Sequence, residues 1–262
     1  MNLTTAIPDS ESPRVALVTG AARRIGRAIA LGMAQAGWDI AVHYRHSHAE
    51  ALQVVEQIRA LGRRAVALPC DLSDEARTRA LLPQAIAALG PVHCVVNNAS
   101  LFDYDSAADF TQARLASHMS ANVAAPLLLA QALHAATQDG HQAVVINLLD
   151  QKLYNLNPDF LSYTLSKAAL HTATTLLAQA LAPKLRVVGI APGITLVSGD
   201  QTEEGFANAH QQTPLGRSST PDDIVQAVLY AARAAALTGS TLLVDGGQHL
   251  MALPRDVMFL AK

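Results

Sequence analysis

The chain of 262 residues is 50% hydrophobic and 15% charged, enough apolar content to bury a sizeable core. A formal net charge of -2 gives no basic footprint for nucleic acid or an anionic lipid surface. No apolar run approaches the roughly 20 residues of a membrane span, so the expected partner is a small molecule, not nucleic acid or membrane.

The opening MNLTTAIPDSESP has no basic end followed by an apolar stretch. It reads as a disordered lead over 1–13, not as a secretory signal. From residue 14 onward short β-branched runs recur, at 14–19, 39–44, 64–70, 92–97, 143–149, 186–192 and 241–245. Most are nearly continuous in apolar residues, the pattern of strands covered on both faces. Helical stretches rich in Ala, Leu and Gln lie between them. In 48–62, Ala51, Val54, Val55, Ile58 and Leu61 recur at helical spacing. The helix beginning TPDDIVQ has Thr220 as N-cap, Pro221 at its first position and two acids in its first turn. This alternation predicts an α/β protein with a single Rossmann-type, doubly wound parallel sheet of about seven strands and helices on both faces. No repeat or linker divides 14–262, which reads as one dinucleotide-binding and catalytic domain. The longest stretch without a clear strand, 194–219, sits beyond a strand end where an active-site lid would lie. Cys70 and Cys94 fall on predicted strands and read as buried free thiols of a cytoplasmic protein.

The first strand runs into a tight turn, VALVTGAARRIGRAIA. Gly20 and Gly26 allow close backbone approach, and the following helix N-terminus suits a pyrophosphate. Two such glycines also occur in ordinary strand–helix turns. Their place on the first strand of a long βα series favours a dinucleotide. At the end of the second strand an NAD site carries an acid for the ribose 2′-hydroxyl. Here the residues are Tyr44, Arg45, His46 and Ser47. The expected cofactor is therefore NADPH, with Arg45 on the 2′-phosphate; the alternative is a solvated basic turn. His43, His46 and His48 lack a matching Cys or carboxylate cluster, so no metal is expected.

Over about residues 14–250 the chain resembles the short-chain dehydrogenase/reductase family. The matching motifs, in order, are TGAARRIG (19–26), DL (71–72), NNAS (97–100), SANVAAP (120–126), YTLSK (163–167), APG (191–193) and VDGG (244–247). The resemblance implies roles for individual residues. Gly20, Arg24 and Ile25 form the cofactor turn. Asp71 and Leu72 hold the adenine, and Asn97 and Ala99 line the cofactor. Asn122 holds a water in a proton relay. Tyr163 is the acid, and Lys167 lowers its pKa and binds the nicotinamide ribose. Pro192, Gly193 and Thr195 begin the segment covering the nicotinamide. The family is usually tetrameric, and the helices around 123–137 and 164–182 suit packing between subunits of a homotetramer. A tyrosine, with a reference pKa of about 10, needs a neighbouring cation to exchange protons near neutrality. Residues four apart on a helix share a face, so Tyr163 and Lys167 can reach one spot.

Two positions depart from the common family pattern. A glycine of the cofactor turn is replaced by Arg24. The serine thirteen residues before the tyrosine is replaced by Asp150. The same pair of replacements occurs in the pteridine reductase branch, including bacterial dihydromonapterin reductases. That resemblance places Arg24, Ser100, Phe102, Asp150 and Tyr163 against a pterin, with Phe102 stacked on its ring. A carboxyl group suits a pterin edge, because it accepts from N–H groups or, when protonated, donates to a ring nitrogen. The expected activity is NADPH-dependent reduction of a dihydropterin to a tetrahydropterin, with dihydrofolate as a further candidate. Either Asp150 or Tyr163 gives the proton. Competing readings are a carbonyl or 3-oxoacyl reductase and a non-catalytic NADPH-binding sensor. Phe102 also reads as core packing and Asp150 as a helix cap. The segments 151–160 and 248–262 match no motif with a known role.

Overall fold

The computed structural model describes residues 14–197, 202–211 and 213–260. The expected lead over 1–13 and part of the expected lid, 198–201 and 212, lie outside them. Seven parallel strands form one sheet: β1 (Val15–Val18), β2 (Asp39–Tyr44), β3 (Ala65–Pro69), β4 (Val92–Asn97), β5 (Ala143–Leu148), β6 (Leu185–Pro192) and β7 (Thr241–Val244). Their order is β3-β2-β1-β4-β5-β6-β7. The winding reverses between β1 and β4, so a crevice opens beyond their carboxyl ends. The sheet is the one expected from the strand–helix alternation.

Period-two side-chain alternation explains the continuous apolar runs. On β1, Ala16 and Val18 face a core shared with α1 (Arg24–Gln35), α2 (His48–Ala60) and α8 (Pro221–Arg233). Val15 and Leu17 face the opposite core, with α3 (Glu75–Leu89), α5 (Ala125–Ala136) and the end of α6 (Leu161–Ala180). Strands covered on both faces need no polar side, so their sequence shows none. Thr220 caps α8 as anticipated: its Oγ1 accepts from Asp223 N, and the Asp223 carboxylate accepts from Thr220 N at 2.8 Å. Both helix-start donors are thus satisfied reciprocally.

Helices α4 (Gln112–Met119) and α5 run together through a five-residue π turn, Ser120–Ala124, that the sequence patterns do not announce. Within 194–219 lies α7 (Glu203–Gln211), and the chain's far end carries the short α9 (Val257–Leu260). Cys70 and Cys94 are buried and free. Among the described residues no helix is long and apolar enough to cross a membrane, and no cluster of His, Cys, Asp or Glu could hold a metal.

Candidate active site

The crevice at the β1–β4 reversal divides into two adjoining cavities that share Arg24, Ile25, Asn98 and Ser100. The first, about 660 Å³, is of the size of an ordinary ligand site. It is walled by Gly20, Arg45, Asp71, Leu72 and Ala99, all expected cofactor residues. Thr19 Oγ1 accepts from the backbone N–H groups of Asn98 and Ala99, each at 3.0 Å, and so stitches the end of β1 to the end of β4. The turn is tight. A Cβ on Gly26 would lie 2.2 Å from Gly20 O and 2.4 Å from Asn98 Nδ2. No side-chain hydrogen bond caps the N-terminus of α1, and its first residues Arg24, Ile25 and Gly26 line the crevice. Gly20 N donates to His43 Nδ1 at 3.0 Å, which leaves Nε2–H to donate to Cys70 O at 3.0 Å. Burial pulls the His43 pKa down to about 4, so the ring is neutral and both its nitrogens are committed within the fold.

Arg45 lines this cavity and pairs with Asp71 at 2.9 Å. Hydrogen bonds from Ser73, and then Arg45, hold the Asp71 carboxyl below its ordinary range. Arg23, which sequence reasoning passed over, lines the same cavity and is paired with Glu50 on α2. Its signal was a second basic residue in the turn itself. Tyr44 is placed differently from expectation. It is buried, with its hydroxyl 2.6 Å from His48 Nδ1. His46 is exposed and Ser47 half-buried at the start of α2. Asn97 also departs from expectation. Its amide is buried in the sheet and donates to Asn147 Oδ1 at 2.8 Å. The neighbouring Asn98 reaches the glycine turn instead, donating to Thr19 O at 2.9 Å.

The second cavity gathers Arg24, Ser100, Phe102, Asp150, Tyr163 and Lys167, with Pro192, Gly193 and Thr195 on its far side. Tyr163 OH donates to Asp150 Oδ2 at 2.7 Å. The other carboxylate oxygen accepts from Lys152 N at 2.8 Å and caps the 3-10 turn Gln151–Tyr154. Asp150 therefore serves as a cap and as a pocket acid at once. Lys167 Nζ donates to Leu148 O at 2.7 Å and lies 5.7 Å from the Tyr163 ring centre. Burial raises the Asp150 pKa, against the pull of its hydrogen bonds and of Lys167. Burial also pulls Lys167 down to about 8. Tyr163 runs opposite to the sequence expectation. Burial, followed by the Asp150 charge, pushes the phenol well above 10, so Tyr163 rests protonated.

Asn122 sits in the π turn, buried, and borders neither cavity. Its amide donates to Leu101 O and Ser166 Oγ, at 3.0 and 2.9 Å, while Oδ1 accepts from Leu101 N at 2.7 Å. The side chain ties the β4 loop to α6, and both of its amide protons are committed to that tie. Arg24 has φ of 52°, the left-handed conformation that a glycine adopts without strain. The common family glycine thus has a backbone reason, and an arginine here carries about 1–3 kcal/mol of strain. Phe102 packs on Phe160 with ring centres 4.3 Å apart and an interplanar angle of 15°. It meets Tyr163 edge-on at 4.7 Å and remains 41% exposed, so part of its ring stays open to a ligand.

Residues 20–249 match the family described as enoyl-(acyl carrier protein) reductase. The structure is similar to FolM alternative dihydrofolate reductase 1 from Brucella canis, complexed with NADP, at a TM-score of 0.86 and 38% identity, covering 91% of this chain and 95% of that one. An uncharacterized oxidoreductase of Methylorubrum extorquens is 35% identical over 242 residues, 89% of this chain and 97% of its own. L-rhamnose 1-dehydrogenase (NAD(P)(+)) of a Sphingomonas species is 30% identical over 247 residues, 90% of this chain and 96% of its own.

Proposed function

The chain belongs to the short-chain dehydrogenase/reductase family of NAD(P)-dependent oxidoreductases, and from that premise we propose that it is an NADPH-dependent pteridine reductase. The observation that carries this reading is the Asp150 carboxyl on the cavity wall, hydrogen-bonded at 2.7 Å to Tyr163, whose ring meets Phe102 edge-on. A ketone offers one acceptor oxygen, which a hydroxyl serves. A pteridine edge offers N–H groups and ring nitrogens, which a carboxyl with a raised pKa serves better. The likeness to a dihydrofolate reductase complexed with NADP supports the same assignment.

The cofactor cleft fits NADPH on its own features. The uncapped N-terminus of α1 and the glycine turn suit the pyrophosphate, and Arg23 and Arg45 suit a 2′-phosphate. Bound there, NADPH supplies a hydride to a ring carbon of the dihydropterin. Lys167 holds the nicotinamide ribose and positions Tyr163. Phe102 covers the flat ring of the substrate. The proton that the neighbouring ring nitrogen takes comes from the Asp150–Tyr163 pair, which titrates as a unit. When the pair is left anionic, Lys152 N–H and the Lys167 ammonium stabilise it. The same reading includes a cytoplasmic homotetramer, in which Leu165 and Leu176, exposed on α6, are covered by a neighbouring subunit. Light scattering tests the tetramer.

The deciding experiment measures NADPH oxidation with dihydrobiopterin, dihydromonapterin and dihydrofolate beside a panel of ketones and 3-oxoacyl esters. Pteridines should be turned over and simple ketones poorly. Asp150→Ser should then lower pteridine turnover by about 5- to 150-fold, the cost of a buried polar partner left unpaired. Ketone reduction should fall less or rise. A second reading, a sugar or carbonyl dehydrogenase, draws on the likeness to L-rhamnose 1-dehydrogenase. Ketone or sugar turnover without pteridine turnover would establish it instead.

A further inference from the structure

The segments without a motif, 151–160 and the end of the chain, meet over the catalytic pair. Leu253, Asp256, Val257 and Met258 line the same cavity as Asp150 and Tyr163. What brings them there is an ionic network across a long sequence distance. Lys152 is buried, yet its ammonium donates to Asp256 Oδ2 at 3.1 Å and to Asp159 O at 2.7 Å. Asp159 in turn takes Arg255 through Nε at 2.8 Å and the Asp256 backbone N–H at 2.7 Å. Asn155 Nδ2 donates to Met251 O. An aromatic column backs the ions: Phe102 stacks on Phe160, Phe160 on Phe259 at 6.1 Å, and Tyr104 closes edge-on against both phenylalanines of that second pair. The Lys152 ammonium lies 5.3 Å from the Phe160 ring centre.

We propose that residues 253–258 are the substrate-selecting wall of the cavity, held shut by the Lys152–Asp256 pair. Lys152 is a positioning residue with two tasks. Its backbone N–H orients the Asp150 carboxyl, and its ammonium fixes the wall opposite. A buried lysine is retained only where its charge is matched, and here Asp256 and the Asp159 carbonyl match it. The wall itself is apolar, formed by Leu253, Val257 and Met258, and would contact the part of the substrate beyond the ring edge held by Asp150. This inference rests on the pteridine reading for the choice of substrate, and the wall can be tested without any substrate.

The test uses the full chain carrying Asp256→Asn, with NADPH bound. Hydrogen–deuterium exchange of the segment 251–260 should quicken by about tenfold or more, while peptides of the glycine turn keep their protection. The KM for dihydrobiopterin should rise by about tenfold, with kcat within about twofold and the NADPH Kd unchanged. The double variant Lys152→Met/Asp256→Asn should be no worse than Asp256→Asn alone, because the pair acts as one unit. Met258→Phe keeps the latch and narrows the cavity, so KM should rise while exchange of 251–260 stays as in the wild type. Wild-type exchange of that segment in Asp256→Asn, or an unchanged KM in Met258→Phe, would overturn the proposal. Faster exchange in a protein that turns over no pteridine supports the latch and removes the pteridine reading alone.

Discussion

The cofactor cleft and the substrate cavity share a rim but are closed by different kinds of contact. In the cleft, Gly20 meets His43 across 23 residues and His43 meets Cys70 across 27. Those two contacts close within one or two βα units, while Thr19 reaches Asn98 and Ala99 across 79 and 80 residues through backbone amides. In the cavity, Lys152 meets Asp256 across 104 residues and Arg255 meets Asp159 across 96. The cleft is made by backbone conformation, with a glycine that tolerates no Cβ and a helix start without a side-chain cap. The cavity wall is made by side chains choosing distant partners. Such a wall can change its residues without disturbing the sheet, which suits it to setting specificity while the cleft keeps one cofactor.

The largest expected effect falls on the acid–phenol pair of the substrate cavity. Tyr163→Phe and Asp150→Asn should each lower turnover by about 10²–10⁴-fold, the usual contribution of a general acid or base. NADPH binding, followed by fluorescence titration, should stay near wild type in both. The double variant should lose little more than either single one, since the two groups exchange one proton. Additive losses, or wild-type turnover in Tyr163→Phe, would remove the pair from the chemistry.

Lys167 reports on both regions through pH. Its pKa is depressed to about 8, so it is charged below that value and neutral above it. If the ammonium is needed, kcat/KM for NADPH should fall by about tenfold per pH unit above about 8. Lys167→Met should be slower throughout and lack that limb. A wild-type profile that stays flat to pH 10 would separate the lysine from catalysis. Stability carries its own sign. The folded lysine binds protons less readily than the unfolded one. Its contribution to unfolding free energy should therefore rise between about pH 8 and the ordinary lysine value of 10.5.

Much of the cleft was legible in the sequence because its causes are local. The apolar runs became the strands of the sheet, and Thr220 became the cap of α8, since each depends on a few neighbouring residues. Arg45 could be placed at the cavity from the end of the second strand, and Asp71 from the family motif at 71–72. Asn97 and Tyr44 show the limit. Which of two adjacent asparagines turns into the sheet depends on Asn147 and Thr174 in other elements, and the Tyr44 hydroxyl found His48 instead of the cleft. The wall at 253–258 was illegible for the same reason. Neither Lys152 nor Asp256 carries a local pattern that names its partner. The direction of the Tyr163 shift also depends on burial, which no motif encodes.

Arg45→Ala sharpens the contrast from the cofactor side. Hydrogen bonds to a charged group contribute about 1.5–3 kcal/mol. Arg45 is half-exposed and shared with Asp71, so the lower end applies. The KM for NADPH should rise by about tenfold, that for NADH should stay nearly unchanged, and the KM for the pteridine should not move. The NADPH effect should shrink in high salt. Equal use of both cofactors by the wild type would contradict the 2′-phosphate assignment.

Phe102 gives the smallest expected effect and the closest test of where the boundary runs. Along the chain it neighbours the cleft, three residues beyond Ala99 in the loop after β4. By contact it belongs to the cavity, stacked on Phe160 and edge-on to Tyr163. A stacked aromatic pair contributes about 0.5–1.5 kcal/mol beyond its area burial, or roughly 2- to 12-fold. Phe102→Ala should weaken pteridine binding by that factor and leave the NADPH Kd unchanged. Because Phe160 also carries Phe259, the same change should quicken hydrogen exchange in 251–260 by less than Asp256→Asn does. Phe102→Leu separates the two contributions: it keeps apolar bulk against Phe160 but removes the flat face offered to a ring. If Phe102→Leu restores the exchange protection and not the pteridine affinity, Phe102 serves the wall and the substrate through different faces. Weaker NADPH binding with unchanged pteridine affinity would move the residue into the cofactor cleft and leave the substrate ring without its expected cover.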